Sequence, residues 1–251
     1  MRHMSDHALS AIFAVVAALY ASVGQAGGTG YVAVMGLLNY GPEIIKPTAL
    51  ALNILVAAIG CWRFARAGLM TWRSCYPFAI LGAPFSLIGG ATHLPPALYQ
   101  PIVGMLLLVA ALQMIRSVRS ASAADRTIEA PPPFIPSLLA GAGVGFVSGM
   151  TGVGGGIFLA PLVLTLGWVE TRQASAVSAM FNLLNSAAAL AGAWATMPAL
   201  PATLPWLLVA VGIGGFLGSW LGVRYLSAAA LRYILAALLL TAGVRMVLAP
   251  G

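Results

Sequence analysis

Apolar residues in this chain fall in long unbroken runs, not in the period-two alternation of a strand or the single stripe of a soluble helix. Runs cover roughly residues 8–24, 29–41, 47–62, 75–92, 97–115, 137–151, 154–168, 174–194, 203–223 and 228–248. A helix crosses a bilayer with about 20 apolar residues, so most of these read as membrane helices. Residues 29–41 and 154–168 are short for a crossing, and each can instead form a re-entrant hairpin with the run before it. The first run resembles a secretory signal in having Arg2 and His3 ahead of it. The same kind of segment recurs inside the chain at 137–151, which favours a membrane segment.

The order of runs repeats. A shift of 126 lays Gly28-Thr29-Gly30-Tyr31 on Gly154-Gly155-Gly156-Ile157, Gly41 on Gly167 and Lys46 on Arg172. A shift of 133 lays Gly82, Ser86 and Gly89 on Gly215, Ser219 and Gly222. A shift of 132 pairs Leu94, Ile102, Ala110 and Met114 with Leu226, Ile234, Ala242 and Met246. The expected organisation is an N-terminal tail (1–8), a first transmembrane repeat (9–115), a cytoplasmic linker (116–136) and a second repeat (137–248). Each repeat has about five helical segments, broken or re-entrant at its glycine-rich stretch.

Composition narrows the reading further. The chain is 61% hydrophobic and 7% charged, against roughly 25% charged in an average soluble protein. That excludes a soluble domain, a nucleic-acid binder and a disordered chain. The net charge of +7 comes from bases scattered between apolar runs. Arg63, Arg66, Arg73, Arg116, Arg119, Arg126, Arg172, Arg224 and Arg232 fall on one face, and Arg2, Lys46 and Arg245 on the other. The positive-inside rule makes the nine-base face cytoplasmic. Each half makes an odd number of crossings, so the second enters from the opposite side and the repeats are inverted, as in many secondary transporters.

Chemistry concentrates at the two breaks, Gly24-Gln25-Ala26-Gly27-Gly28-Thr29-Gly30 and Ser148-Gly149-Met150-Thr151-Gly152-Val153-Gly154-Gly155-Gly156. Glycine at this density disfavours continuous helix, and irregular backbone at membrane depth is tolerated where protein or a water-filled cavity covers it. A half-helix starting there presents free N–H groups and the positive end of its dipole to an anion. The expected substrate-binding residues are Gln25, Gly28, Thr29, Gly30, Asn53, Thr151, Gly154, Gly155, Gly156, Ser178 and Asn182. Asn53 and Ser178 occupy matching places in the two repeats, while Asn182, Asn185 and Ser186 share one helix face. The plainer alternative is interhelical hydrogen bonding, which for Asn185 and Ser186 weighs equally with ligand contact. Gly141, Gly145 and Gly149, and likewise Gly214, Gly218 and Gly222, have the spacing of close helix contacts. Glu43 with Lys46 and Glu170 with Arg172 read as solvated ion pairs at loop edges. Cys61 and Cys75 read as packing residues. No Asp, Glu or His lies mid-segment, and no metal, cofactor or catalytic constellation can be assembled.

The two glycine breaks each followed by a short apolar helix, the turn Gly149 to Gly156, the run Ala174-Ser175-Ala176-Val177-Ser178 and the glycine-rich terminal pairs resemble the TauE/SafE family of sulfite and organosulfonate exporters, across roughly residues 9 to 248. The first break departs from the family's richer glycine run at Gln25 and Thr29. The resemblance implies a multi-pass permease of the bacterial inner membrane for small, often sulfur-containing anions such as sulfite, sulfonates or thiosulfate. The expected function is therefore a secondary permease working by alternating access, with a small anion and the lipid bilayer as partners; a homo-oligomer is compatible with the sequence. The rival is an intramembrane enzyme or a helper subunit that binds a lipid or partner.

Overall fold

A computed structural model describes residues 6–120, 132–194, 200–225 and 227–248, apart from the side chains of 6, 119, 120, 171, 172, 221–225 and 228. The described residues form an all-α protein of ten helices. The first half holds α1 (Asp6–Ser22), α2 (Gly28–Leu37), α3 (Pro42–Arg66), α4 (Trp72–Ala91) and α5 (Pro96–Ser120). The second holds α6 (Phe134–Thr151), α7 (Gly156–Thr165), α8 (Thr171–Trp194), α9 (Leu204–Tyr225) and α10 (Ala228–Leu248). Six of the ten are long and apolar enough to cross a membrane.

Helices α2 and α7 have 10 residues each, so at about 1.5 Å per residue they reach half of a ~30 Å hydrocarbon core. Neither crosses alone. The apolar runs underestimated two other helices. Pro42 at the start of α3 fixes a helical φ where no N–H is needed, so that helix begins before Lys46 and not after it. Helix α5 continues to Ser120 because Arg116, Ser117 and Arg119 extend it beyond its apolar part. The linker's Asp125, Arg126 and Glu129 lie outside the described residues, as do the side chains of Arg119, Arg172 and Arg224.

The halves are interleaved. Helix α1 packs most closely on α9, α6 on α4, and α5 on α10, while α3 crosses α8 at the centre. Small residues set these approaches. A Cβ on Gly141, Gly145 or Gly149 would run into the α4 carbonyls of Phe78, Gly82 and Ser86, and one on Gly214 or Gly218 into those of Ala14 and Ala18 in α1. These are the contact faces the spacing predicted; the side-chain position of Gly222 is not among those described. Cys75 joins the core cluster with Phe78, Val177 and Phe181, and Cys61 is buried, so both thiols serve packing.

Backbone cannot yield as a side chain can, so the tight approach at Gly145 makes a prediction. Gly145→Ala should lose about 2 kcal/mol or more by overpacking, lowering the thermal midpoint of the purified protein. Gly143→Ala, whose Cβ meets nothing within 4 Å, should gain up to about 1 kcal/mol from helix propensity. Equal midpoints for the two variants would contradict this packing.

The repeat in the backbone has a different offset from the one the sequence suggests. Gly24, Gly27 and Asn39 adopt left-handed φ values of 79°, 89° and 60°, and their counterparts Gly152, Gly155 and Gly167 adopt 84°, 84° and 64°. The offset is thus 128, not 126, and Gly28 corresponds to Gly156, each the first residue of its half-helix. Runs rich in glycine can be overlaid at several offsets, and only the left-handed positions fix which glycines play the same part.

Candidate functional site

At the first break α1 ends at Ser22, and the left-handed Gly24 and Gly27 turn the chain into α2. At the second, Gly152, Gly154 and Gly155 do the same between α6 and α7. Neither α2 nor α7 has a side-chain N-cap, which leaves first-turn N–H groups without an intrahelical acceptor. The breaks meet: a Cβ on Gly28 would enter the carbonyl of Val153 and touch the Asn53 amide.

Behind this meeting point α3 and α8 are joined by side chains. The Asn53 Nδ2 donates to Asn182 Oδ1 at 2.8 Å and to Ser186 Oγ at 2.7 Å, and Asn182 Nδ2 returns a bond to Asn53 Oδ1 at 3.3 Å. All three residues are buried. A Cβ at Gly154 would fall into this cluster. The partner of Asn53 across the α3–α8 contact is therefore Asn182. Asn185 leaves the shared face, packs near Gly82 of α4 and has no side-chain hydrogen bond among the described residues.

A cavity of about 280 Å³ opens from this centre. It runs from Tyr20, Gly28, Thr29, Gly156 and Asn182 past Ser178 and Ser219 to Arg63 and the exposed Ala67 at the end of α3. Both half-helices deliver their N-termini to it through Gly27, Gly28 and Gly156. Arg63 is the one charged side chain on its wall among the described residues, and no carboxylate lines it. Tyr20 and Thr29 share a hydrogen bond of 2.8 Å. The Ser178 hydroxyl and Gln25 Oε1 are buried with no protein partner among the described residues, and a half-turn of the Gln25 amide presents two N–H donors at the same spot. Buried polar groups are normally satisfied, so two orphans on one cavity wall are what a polar ligand would complete.

Of the expected binding residues, Gln25, Gly28, Thr29, Gly156, Ser178 and Asn182 line the cavity, with Asn53 and Gly154 directly behind Asn182. The other three point elsewhere. A Cβ on Gly30 would strike Tyr20 and Val16, and one on Gly155 would meet Ser148 and Phe181. Thr151 bonds its own helix at Val147, while its carbonyl accepts from the Tyr99 hydroxyl at 2.7 Å. Sequence reasoning missed Arg63, counted only as a loop charge. It also missed Ser219, whose pairing with Ser86 at the 133 shift was the available signal.

The opposite side is organised around a buried lysine. Lys46 is buried, and its Nζ donates to the carbonyls of Gly89 (3.2 Å), Gly90 (2.6 Å) and Thr92 (3.0 Å) at the end of α4. That cancels the negative end of the α4 dipole. The expectation of a solvated Glu43–Lys46 pair fails, because α3 starts early enough to turn Lys46 inward onto α4. Lys46 and Glu43 instead border a smaller vestibule of about 140 Å³ with Thr92, His93, Tyr99 and Met150.

The sequence model described as "Sulfite exporter TauE/SafE" matches residues 9–246. Probable membrane transporter protein y4hK of Sinorhizobium fredii is 51% identical over 238 residues, covering 95% of this chain and 96% of that one. A probable membrane transporter protein of Methanocaldococcus jannaschii is 27% identical over 141 residues, covering 55% and 51% of the two chains. No solved structure matches.

Proposed function

The chain belongs to the sulfite exporter TauE/SafE family and is a multi-pass membrane transporter, and from that premise we propose that it is a secondary permease moving a small sulfur-containing oxyanion by alternating access. A bacterial inner membrane is the location expected for this family. The observation that carries the reading is the convergence of two uncapped half-helix N-termini on a cavity whose one charged wall residue, among the described residues, is Arg63. The dipoles of both half-helices favour negative charge there. Ser178 adds a hydroxyl donor with no protein partner among the described residues, and Gln25 adds N–H donors once its amide is turned. A volume of about 280 Å³ suits sulfite, thiosulfate or a short organosulfonate.

Alternating access rests on the asymmetry between the two sides. On this reading α1–α2 and α6–α7 are re-entrant hairpins, each followed by three longer helices, so each half crosses an odd number of times. Inverted repeats at 9–115 and 137–248 follow from that count, with 116–136 as the cytoplasmic linker. The 128-residue offset of the left-handed positions and the exchange of α1 onto α9 and α6 onto α4 support the same reading. Arg63 lines the cavity at the last turn of α3, which also carries Arg66, while Lys46 and Arg245 lie at the other side; by the positive-inside rule the opening then faces the cytoplasm. The state is then inward-open with the outer side shut. An inside-negative potential supplies about 2.3 kcal/mol per charge per 100 mV for anion export without a coupling ion.

The test is flux of radiolabelled sulfite from proteoliposomes. Saturable efflux that rises with an inside-negative potential, and that methanesulfonate but not methylammonium inhibits, is the expected result. Efflux no faster than from empty vesicles, with folded protein present, would reject the reading.

A further inference from the structure

Lys46 is the one lysine in the sequence, and its placement is costly without a purpose. A lysine near a membrane face can extend its amine to water along a flexible stem. Here the side chain turns inward, and its three donor contacts go to the last carbonyls of α4 and none to Glu43. Its own backbone lies against the second break, since a Cβ on Gly152 would come within 2.9 Å of Lys46 Cα. One residue thus ties α3, the end of α4 and the turn between α6 and α7.

That knot lies on the wall of the outer vestibule, which Met150 also lines. Met150 stands 128 residues after Ser22, which lines the open cavity at the end of α1. The two sides therefore differ at comparable places. On the inner side the region around Ser22, Arg63 and Ser178 is parted, whereas on the outer side Lys46 holds the α4 terminus against the break. A second tie, from Tyr99 to the Thr151 carbonyl, secures α5 to the same turn.

We propose that Lys46 is the latch of the outer gate: its amine clasps the C-terminal carbonyls of α4 and keeps the outer vestibule cut off from the central site while the inner cavity is open to it. Opening to the outside requires that the clasp be released, which exposes the amine to the vestibule. The inference rests on the alternating-access reading above, but its first test needs no anion.

In a Cys61→Ala/Cys75→Ala background, Met150→Cys reports the outer vestibule and Ala179→Cys the inner cavity, each labelled by a membrane-impermeant maleimide from its own side. Lys46→Met should speed labelling of Met150→Cys at least tenfold and slow that of Ala179→Cys, while Lys46→Arg, which keeps charged donors, should shift both less. Unchanged rates at both positions in folded Lys46→Met protein would overturn the latch. The native chain gives a second measurement, which holds even if Lys46→Met does not fold. Acylation of Lys46 by an impermeant N-hydroxysuccinimide ester from outside, followed by peptide mass spectrometry, should accelerate at least fivefold while sulfite is transported. Sulfite flux with no change in acylation would overturn the latch alone, whereas absence of flux in the same vesicles would count against the anion reading.

Discussion

Gly154→Ala is expected to reduce sulfite flux at least 100-fold. Gly154 has φ of 86°, a conformation that costs a residue with a Cβ roughly 1–2 kcal/mol. The larger effect is steric, because the new methyl group would overlap Asn53 Nδ2 and Asn182 Oδ1 and press on Ser186 Oγ. Those side chains hold α3 to α8 behind the cavity, and parting them breaks two or three hydrogen bonds worth about 1 kcal/mol each. The half-helix α7 would then no longer aim its N-terminus beside that of α2. Flux compared at equal reconstituted amounts, alongside the Gly143→Ala control, checks this. Near-normal flux in Gly154→Ala would remove the amide cluster from the transport site.

How much of this was legible from the residues differs by feature. The ten helices could be read because apolar runs and glycine breaks act locally, and the contact faces of α6 and α9 because a four-residue glycine spacing marks one helix face; which helices pack on those faces could not. The orientation of individual residues within the breaks could not. Gly28, Gly30 and Gly155 are indistinguishable as letters, yet the left-handed turns at Gly27 and Gly155 direct Gly28 to the cavity, Gly30 onto Tyr20, and Gly155 towards Phe181. Lys46 was misread because its hydrogen-bond partners lie more than 40 residues away on another helix. Arg63 was read as a sorting charge because nothing local shows that the end of α3 borders the cavity.

Ser178→Asp should have the second large effect, and its sign discriminates between kinds of substrate. Ser178 is 6% exposed, on the cavity wall, with its hydroxyl unpartnered. A carboxylate there would put a fixed negative charge in the cavity that both half-helix N-termini and Arg63 line, lowering sulfite affinity at least 100-fold. Ser178→Ala removes a donor that no protein group uses, so it should weaken sulfite binding about tenfold, as loss of one hydrogen bond to a charged ligand does, and leave the thermal midpoint unchanged. Were the cavity built for a cation, the same aspartate would tighten binding.

Equilibrium binding of sulfite to the purified protein by titration calorimetry, in the native chain and in Ser178→Asp, tests the anion site most directly. Saturable binding of sulfite at one site in the native chain, its loss in a folded Ser178→Asp protein, and no heat from methylammonium in the native chain are the results expected. Sulfite binding that survives Ser178→Asp undiminished, or methylammonium binding in place of sulfite, would contradict the account.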